Sequence, residues 1–146
     1  MISIDQIAQN IEIIDDINDK YQYIIELGKK LPTFPKEKFV DENVVSGCMS
    51  MLWLSVDLVQ KENNTYRISL DLYSDSHIVR GILYIVKSIY DGKSLNEIEK
   101  IEALKIFKRL ELVEYLSQKR KNGLHIIVDR IKKLAHQHSI NHAGNY

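Results

Sequence analysis

Two stretches of the chain alternate apolar and polar residues with a period of two, and they lie almost end to end. Leu52, Leu54, Val56 and Leu58 are interleaved with Trp53, Ser55 and Asp57, and Tyr66, Ile68, Leu70 and Leu72 with Arg67, Ser69 and Asp71. Successive side chains of a strand point to opposite faces, so each run reads as a half-buried strand. The segment from Lys61 to Asn64 supplies a turn, and the two runs are expected to pair as an antiparallel hairpin. Val44 and Val45 are expected to add a short third strand.

Helical periods surround this hairpin. Ser3 and Gln6 have the spacing of a capping box, followed by Ile4, Ile7, Ile11 and Ile14 at helical intervals. A second helix is expected from about Asp19 to Lys30, with Tyr23, Ile24 and Leu27 on one side, stopping before Pro32. Pro32 and Pro35 then mark an irregular stretch. After the hairpin, Ser74, Asp75 or Ser76 can cap a helix carrying Ile78, Ile82, Ile85, Val86 and Ile89 that ends near Tyr90, before Gly92. Ser94 and Glu97 form another capping box, Ala103 to Leu110 is a short helical pattern, and Asn122–Gly123 precede a last run with Leu124, Ile127, Ile131 and Leu134. Helices, then strands, then helices imply an α+β fold in which a small antiparallel sheet packs against flanking helices. No repeat, linker or low-complexity segment divides residues 1–146, which are expected to form one domain with a mobile C-terminal stretch, 137–146.

Composition removes whole classes of function. Twenty acidic residues balance twenty basic ones, leaving no net positive field to hold a nucleic acid or an anionic membrane. Apolar residues make up 45% and charged residues 27%, as in an ordinary globular protein. No segment reaches the roughly 20 apolar residues that span a bilayer, and Met1 to Asp5 carries no basic stretch leading into an apolar run, so a cytoplasmic location is expected.

The chain has a single cysteine, Cys48. One cysteine forms no internal disulfide and cannot by itself build a thiolate metal or cluster site, so whatever Cys48 does it does singly. Free cysteines are often small buried hydrophobes, and that reading stands beside a chemical one. Cys48 falls between the proline segment and the first strand, within Val45, Ser46, Gly47, Cys48, Met49 and Ser50, a loop position at a strand end. Gly47 admits backbone conformations closed to other residues and lets another chain come close. A thiol attacks as thiolate and needs nearby positive charge or N–H donors, and no histidine is adjacent. A sulfur carrier is less demanding than a hydrolase here: once Cys48 holds an extra sulfur, another thiol can take it in a relay akin to thiol–disulfide exchange.

These residues resemble the SufE-like cysteine desulfurase accessory proteins from Tyr23 to about Ala135. The resemblance rests on Tyr23 to Gly28 before Leu31–Pro32; on Gly47, Cys48, Met49 and Ser50 with Trp53; on Ser74–Asp75 with Ile78 to Gly81; and on Leu116 to Arg120 with Asn122, Gly123 and Leu124. It implies a curved antiparallel sheet packed on helices, of the kind shared with IscU-like proteins, with the cysteine on a loop that can tuck its thiol into an apolar cavity. It further implies that Cys48 accepts persulfide sulfur from a SufS-like or CsdA-like cysteine desulfurase, stimulates that enzyme, and passes sulfur to an iron–sulfur scaffold such as SufBCD. Pyridoxal phosphate would belong to the desulfurase, leaving this chain with no cofactor of its own, no bound metal, and a monomeric or weakly dimeric state. Met49 and Met51 stand where such proteins usually carry polar or smaller residues, and His77 where a smaller one is common.

Arg120 matches an arginine of that pattern and could lower the Cys48 pKa or hold a partner carboxylate; a capping or surface role is the alternative. Asp75 matches an acidic position of the pattern, and an N-cap explains it as well. Trp53 is either a wall of a cavity around Cys48 or plain core. His136, His138 and His142 invite a metal reading but sit near the chain end without an evident carboxylate partner. Gly28 and Gly81 belong to no phosphate-cradling motif. Two other functions remain distinguishable from a carrier: a free-standing thiol enzyme with Cys48 as nucleophile and a distant histidine as base, and a binding module in which Cys48 is structural.

Overall fold

The computed structural model describes residues 1–47 and 50–143, without the side chains of residue 115 and residues 141–143. Helices α1 (Ile4–Glu12) and α2 (Ile17–Lys29) precede strands β1 (Leu52–Gln60) and β2 (Tyr66–Ser74); α3 (His77–Tyr90), α4 (Leu95–Lys100), α5 (Ala103–Arg109) and α6 (Gln118–Ala143) follow. The architecture is α+β, as the alternating and helical periods imply.

β1 and β2 pair antiparallel with Leu52 opposite Ser74, Leu54 opposite Leu72, Val56 opposite Leu70 and Leu58 opposite Ile68. Asn63 and Asn64 make the turn at φ 64° and 59°, in the left-handed region where asparagine is tolerated far better than branched residues. Leu52, Leu54, Val56, Ile68, Leu70 and Leu72 are all buried toward the helices. A slip of one residue would turn the three on the slipped strand outward, at about 1.5–3 kcal/mol per side chain, so the hydrophobic pattern fixes the register. The expected third strand is reduced to one bridge, Val44 to Trp53, with the Val45 N–H donating to the Leu52 carbonyl at 2.9 Å. A 3₁₀ turn at Asp41–Asn43 enters this pair and the turn at Ser46–Gly47 leaves it, so the extended run is too short to add a ladder.

α3 packs on β2, α6 on β1, and α2 on α3. The α2–α3 crossing is set by two glycines. A Cβ on Gly81 would lie 2.1 Å from the Ile24 carbonyl oxygen, and one on Gly28 2.7 Å from the Gly81 nitrogen. Ser76, rather than Ser74 or Asp75, caps α3, its hydroxyl accepting from the Val79 N–H at 3.4 Å. At α1, Ser3 accepts from the Gln6 N–H, but the Gln6 side chain turns to Asn10, so only half of the capping box forms.

The outer face of the hairpin is crossed by residues 34–43. Phe39 meets Trp53 and Tyr73 edge-on at 5.2 and 5.4 Å, and Phe34 backs it at 4.6 Å. Lys38 donates to both Asp57 and Asp71 at 2.6 Å. Burial alone would lower its pKa, but the two carboxylates together outweigh that and hold it above the usual lysine value. Trp53 therefore serves this outer aromatic cluster and points away from the face that Leu52 shares with α6.

α6 begins at Gln118, several residues before Asn122–Gly123, where the sequence suggested a boundary. Ser117 caps it through the Arg120 N–H at 3.2 Å, and Gly123 is buried inside the helix, where its missing side chain leaves room for a cavity. The helix carries His136 and His138 and runs on to Ala143, through residues 137–143 of the expected tail. Among the described residues, no helix is long and apolar enough to cross a membrane.

Candidate functional site

Cys48 and Met49 lie outside the described residues, but both stems of their loop are defined. The upstream stem is Val44–Gly47 and the downstream stem Ser50–Leu52, closed across their base by the Val45–Leu52 hydrogen bond and the Val44–Trp53 bridge. Val45 is buried. Gly47 has φ +89°, a conformation costly for any residue with a Cβ, and a Cβ there would meet the Ile126 δ-methyl of α6 at 2.9 Å. The glycine expected to loosen this loop thus also fixes it: the turn depends on a left-handed backbone and on contact with α6.

Beside the downstream stem is a cavity of about 100 Å³ lined by Ser50, Leu52, Val79, Ile82, Lys119, Arg120, Gly123, Leu124 and Ile127. Its walls come from β1, α3 and α6, three elements brought together only by the tertiary fold. The walls are mostly aliphatic, and the polar groups are Ser50 from the loop and two cations from the first turn of α6. The first turn of a helix adds partial positive charge from its unpaired N–H groups. Arg120 is half-buried, and among the described residues no carboxylate or carbonyl pairs with its guanidinium. An apolar recess with unpaired positive charge at its mouth suits a soft, polarizable anion such as a thiolate or persulfide better than a hydrated carboxylate.

Of the residues singled out in the sequence, Gly47, Ser50 and Arg120 converge on this loop and cavity. Asp75 does not line the cavity. Its backbone N–H donates to the Met51 carbonyl at 3.4 Å, its side chain is exposed, and among the described residues nothing donates to or pairs with its carboxylate. No three His, Cys, Asp or Glu side chains gather in a metal-ligating group among the described residues, which do not include the side chain of His142.

Two features went unseen in the sequence. Lys119 lines the cavity with Arg120; it lies inside the Leu116–Arg120 block, which gives it no role of its own. Arg130, one face further along α6, donates to the Val44 carbonyl at 3.0 Å and to the Glu42 carbonyl. No local pattern distinguishes it from the other cations of that helix.

Comparison with known proteins agrees with this architecture. Residues 5–135 match the SufE family, described as an Fe-S metabolism associated domain. A SufE-like protein of Rhizobium meliloti is 42% identical over 135 residues, covering 92% of this chain and 96% of its own. A second, from Rhizobium etli, is 44% identical over 135 residues, covering 92% and 90%. The solution structure of a hypothetical protein from Thermus thermophilus superposes with a TM-score of 0.73 at 14% identity, over 96% of this chain and 99% of that one, and so shares the fold. With 131 consecutive positions inside the family's span (135 − 5 + 1) and relatives above 40% identity along nearly their whole lengths, the chain belongs to the SufE family.

Proposed function

We propose that the protein is an accessory sulfur carrier: it docks with a cysteine desulfurase, takes sulfane sulfur on Cys48, and hands it to an iron–sulfur cluster scaffold. The observation that carries this reading is the aliphatic cavity beside the Cys48 loop, lined also by the guanidinium of Arg120, which has no carboxylate or carbonyl partner among the described residues. Membership of a family associated with Fe-S metabolism supports the destination of the sulfur.

The chemistry needs no external oxidant. The Cys48 thiolate attacks the terminal sulfur of a cysteine persulfide on the desulfurase. A new S–S bond forms to Cys48 as the donor's S–S bond breaks, and the donor cysteine leaves as thiolate. The sulfur atom keeps its oxidation level, and one thiolate is exchanged for another. Arg120 and the first turn of α6 favour the ionised thiol before transfer and the persulfide anion after it, by charge attraction. The aliphatic walls limit access of water and of other thiols to the loaded sulfur. No general base of its own is required, because the thiolate is stabilised by fixed charge rather than generated by a histidine. Pyridoxal phosphate, which forms the persulfide, belongs to the desulfurase.

The test is intact mass spectrometry after incubation with a cysteine desulfurase and L-cysteine. Wild type should gain the mass of one sulfur atom and Cys48→Ser none. Arg120→Gln should move the reaction of Cys48 with iodoacetamide to higher pH, since a neighbouring positive charge favours the thiolate. Equal stimulation of the desulfurase by wild type and Cys48→Ser would favour a binding module instead, and turnover without any desulfurase would favour a free-standing thiol enzyme.

A further inference from the structure

We infer that Arg130 is a positioning residue, a clasp that holds the upstream stem of the Cys48 loop against α6 so that the thiol is presented from a fixed base. This rests on the carrier reading for its functional meaning, but its geometry stands alone. The guanidinium donates one N–H to the Val44 carbonyl at 3.0 Å and another to the Glu42 carbonyl. Both carbonyls lie in the segment that enters the loop, and Cys48 follows Val44 by four residues.

Three features mark this as more than a surface contact. The planar fork of arginine serves the two carbonyls from two separate nitrogens, whereas a lysine would have to reach both from a single nitrogen on a shorter stem. Bonds from a charged donor are about twice as strong as neutral ones. The backbone of the stem is otherwise lightly held: its pairing with β1 is one bridge and one hydrogen bond, with the buried Val45 side chain as its anchor in the core. Gly47 adds a close approach to Ile126 of the same helix. Arg130 and Ile126 sit one helical turn apart on α6, so a single rigid helix grips the stem at two heights while its first turn supplies the cavity cations.

α6 carries an internal control. Lys132 donates to the Ile101 carbonyl at 3.2 Å, the same kind of side-chain-to-backbone link, but to the segment between α4 and α5, away from the loop. Arg130→Met, Arg130→Lys and Lys132→Met are compared with wild type by the second-order rate of Cys48 alkylation with iodoacetamide, by amide hydrogen exchange over 42–47, and by thermal midpoint. Loss of the clasp is expected to raise the alkylation rate about ten-fold, the equivalent of about 1.4 kcal/mol of local opening, and to speed amide exchange at the stem. Arg130→Lys should recover less than half of that effect, and Lys132→Met should stay within two-fold of wild type. With a desulfurase present, Arg130→Met should need a higher concentration for half-maximal sulfur acceptance while the rate at saturation is kept.

An alkylation rate for Arg130→Met within three-fold of that for Lys132→Met would overturn the inference, whatever happens to the thermal midpoint. Full recovery by lysine would overturn it too, since a point charge would then suffice. If Arg130→Met does not fold, Arg130→Lys against Lys132→Met decides by the same criterion. Alkylation and exchange need no desulfurase, so failure of wild type to accept sulfur sinks the carrier reading alone, and an unchanged loop in Arg130→Met sinks the clasp alone.

Discussion

Gly47→Ala puts a number on how strongly the thiol loop is tied to its surroundings. The native φ of +89° lies beyond the left-handed region that an alanine can enter, and the misfit costs about 1–2 kcal/mol. The new methyl would also stand 2.9 Å from the Ile126 δ-methyl, against a comfortable carbon–carbon separation of about 3.5–4.0 Å. That neighbour is the far end of a flexible side chain, so turning it off its rotamer adds about 0.5–1.5 kcal/mol rather than the several that a backbone clash would impose. The expected loss is about 2 kcal/mol, or a fall in Tm of about 4–8 °C for a chain of this length. Gly92→Ala separates the two contributions, because Gly92 has φ +75° with nothing within 4 Å of its Cβ, so it carries the strain without the contact. Ile126→Val deletes the offending methyl. Urea unfolding of Gly47→Ala, Ile126→Val and the double variant closes a cycle in which the double variant should be about 0.5–1 kcal/mol more stable than the sum of the single losses. Cys48 alkylation should change in Gly47→Ala and not in Gly92→Ala. If Gly47→Ala and Gly92→Ala lose equal stability and Ile126→Val restores nothing, the loop does not rest on α6 and the account of the site is wrong.

Two further perturbations probe the frame. Gly81→Ala would drive a Cβ to 2.1 Å from the Ile24 carbonyl oxygen, a backbone atom that moves only if α2 moves, so a loss of about 3 kcal/mol or more is expected despite the better helix propensity of alanine. A urea midpoint equal to that of wild type would contradict the close α2–α3 crossing. Tyr90 is fully buried, its hydroxyl lacks a hydrogen-bond partner of ordinary geometry among the described residues, and burial pushes its pKa up to about 12, offset only in part by the nearby Ala103 N–H. The neutral phenol is the form the fold accepts, so this contribution is constant below the unfolded value of about 10. It falls by about 1.4 kcal/mol per pH unit from there to about 12. Tyr90→Phe should be near neutral at pH 7 and should flatten the loss of stability between pH 10 and 12; parallel curves for the two proteins would contradict that assignment.

The parts legible in the sequence are those whose physics is local. Alternation in Leu52–Leu58 and Tyr66–Leu72 records which face is buried, and that alone sets the hairpin and its register. The period of Ile78, Ile82, Ile85, Val86 and Ile89, with Ser76 ahead and Gly92 behind, marks α3 to within a residue or two. Where two local signals competed, the sequence misled. Val44 and Val45 have strand propensity, but the turns on either side leave no length for a ladder. Asn122–Gly123 looks like a break, but Ser117 starts the helix earlier and the buried glycine is used for space. Residues whose role is a distance between elements left no trace: Gly81 is an ordinary glycine until α2 lies on it, and Arg130 an ordinary helix cation until its fork meets two carbonyls 86 and 88 positions away.

The division has a mechanistic consequence for how a single thiol can be made reactive without a neighbouring base. The loop contributes Cys48 itself, and its composition could nominate that residue, but the positive charge, one wall of the apolar recess and the grip on the stem come from α6. A helix is stiff, so Lys119 and Arg120 at its start, Ile126 against Gly47, and Arg130 under Val44 hold fixed spacings along one rod. The base of the loop and the cations beside it therefore stay in register. With both on one helix, substitutions at Arg120 and Arg130 should be close to additive in stability yet strongly non-additive in the rate at which Cys48 reacts with iodoacetamide.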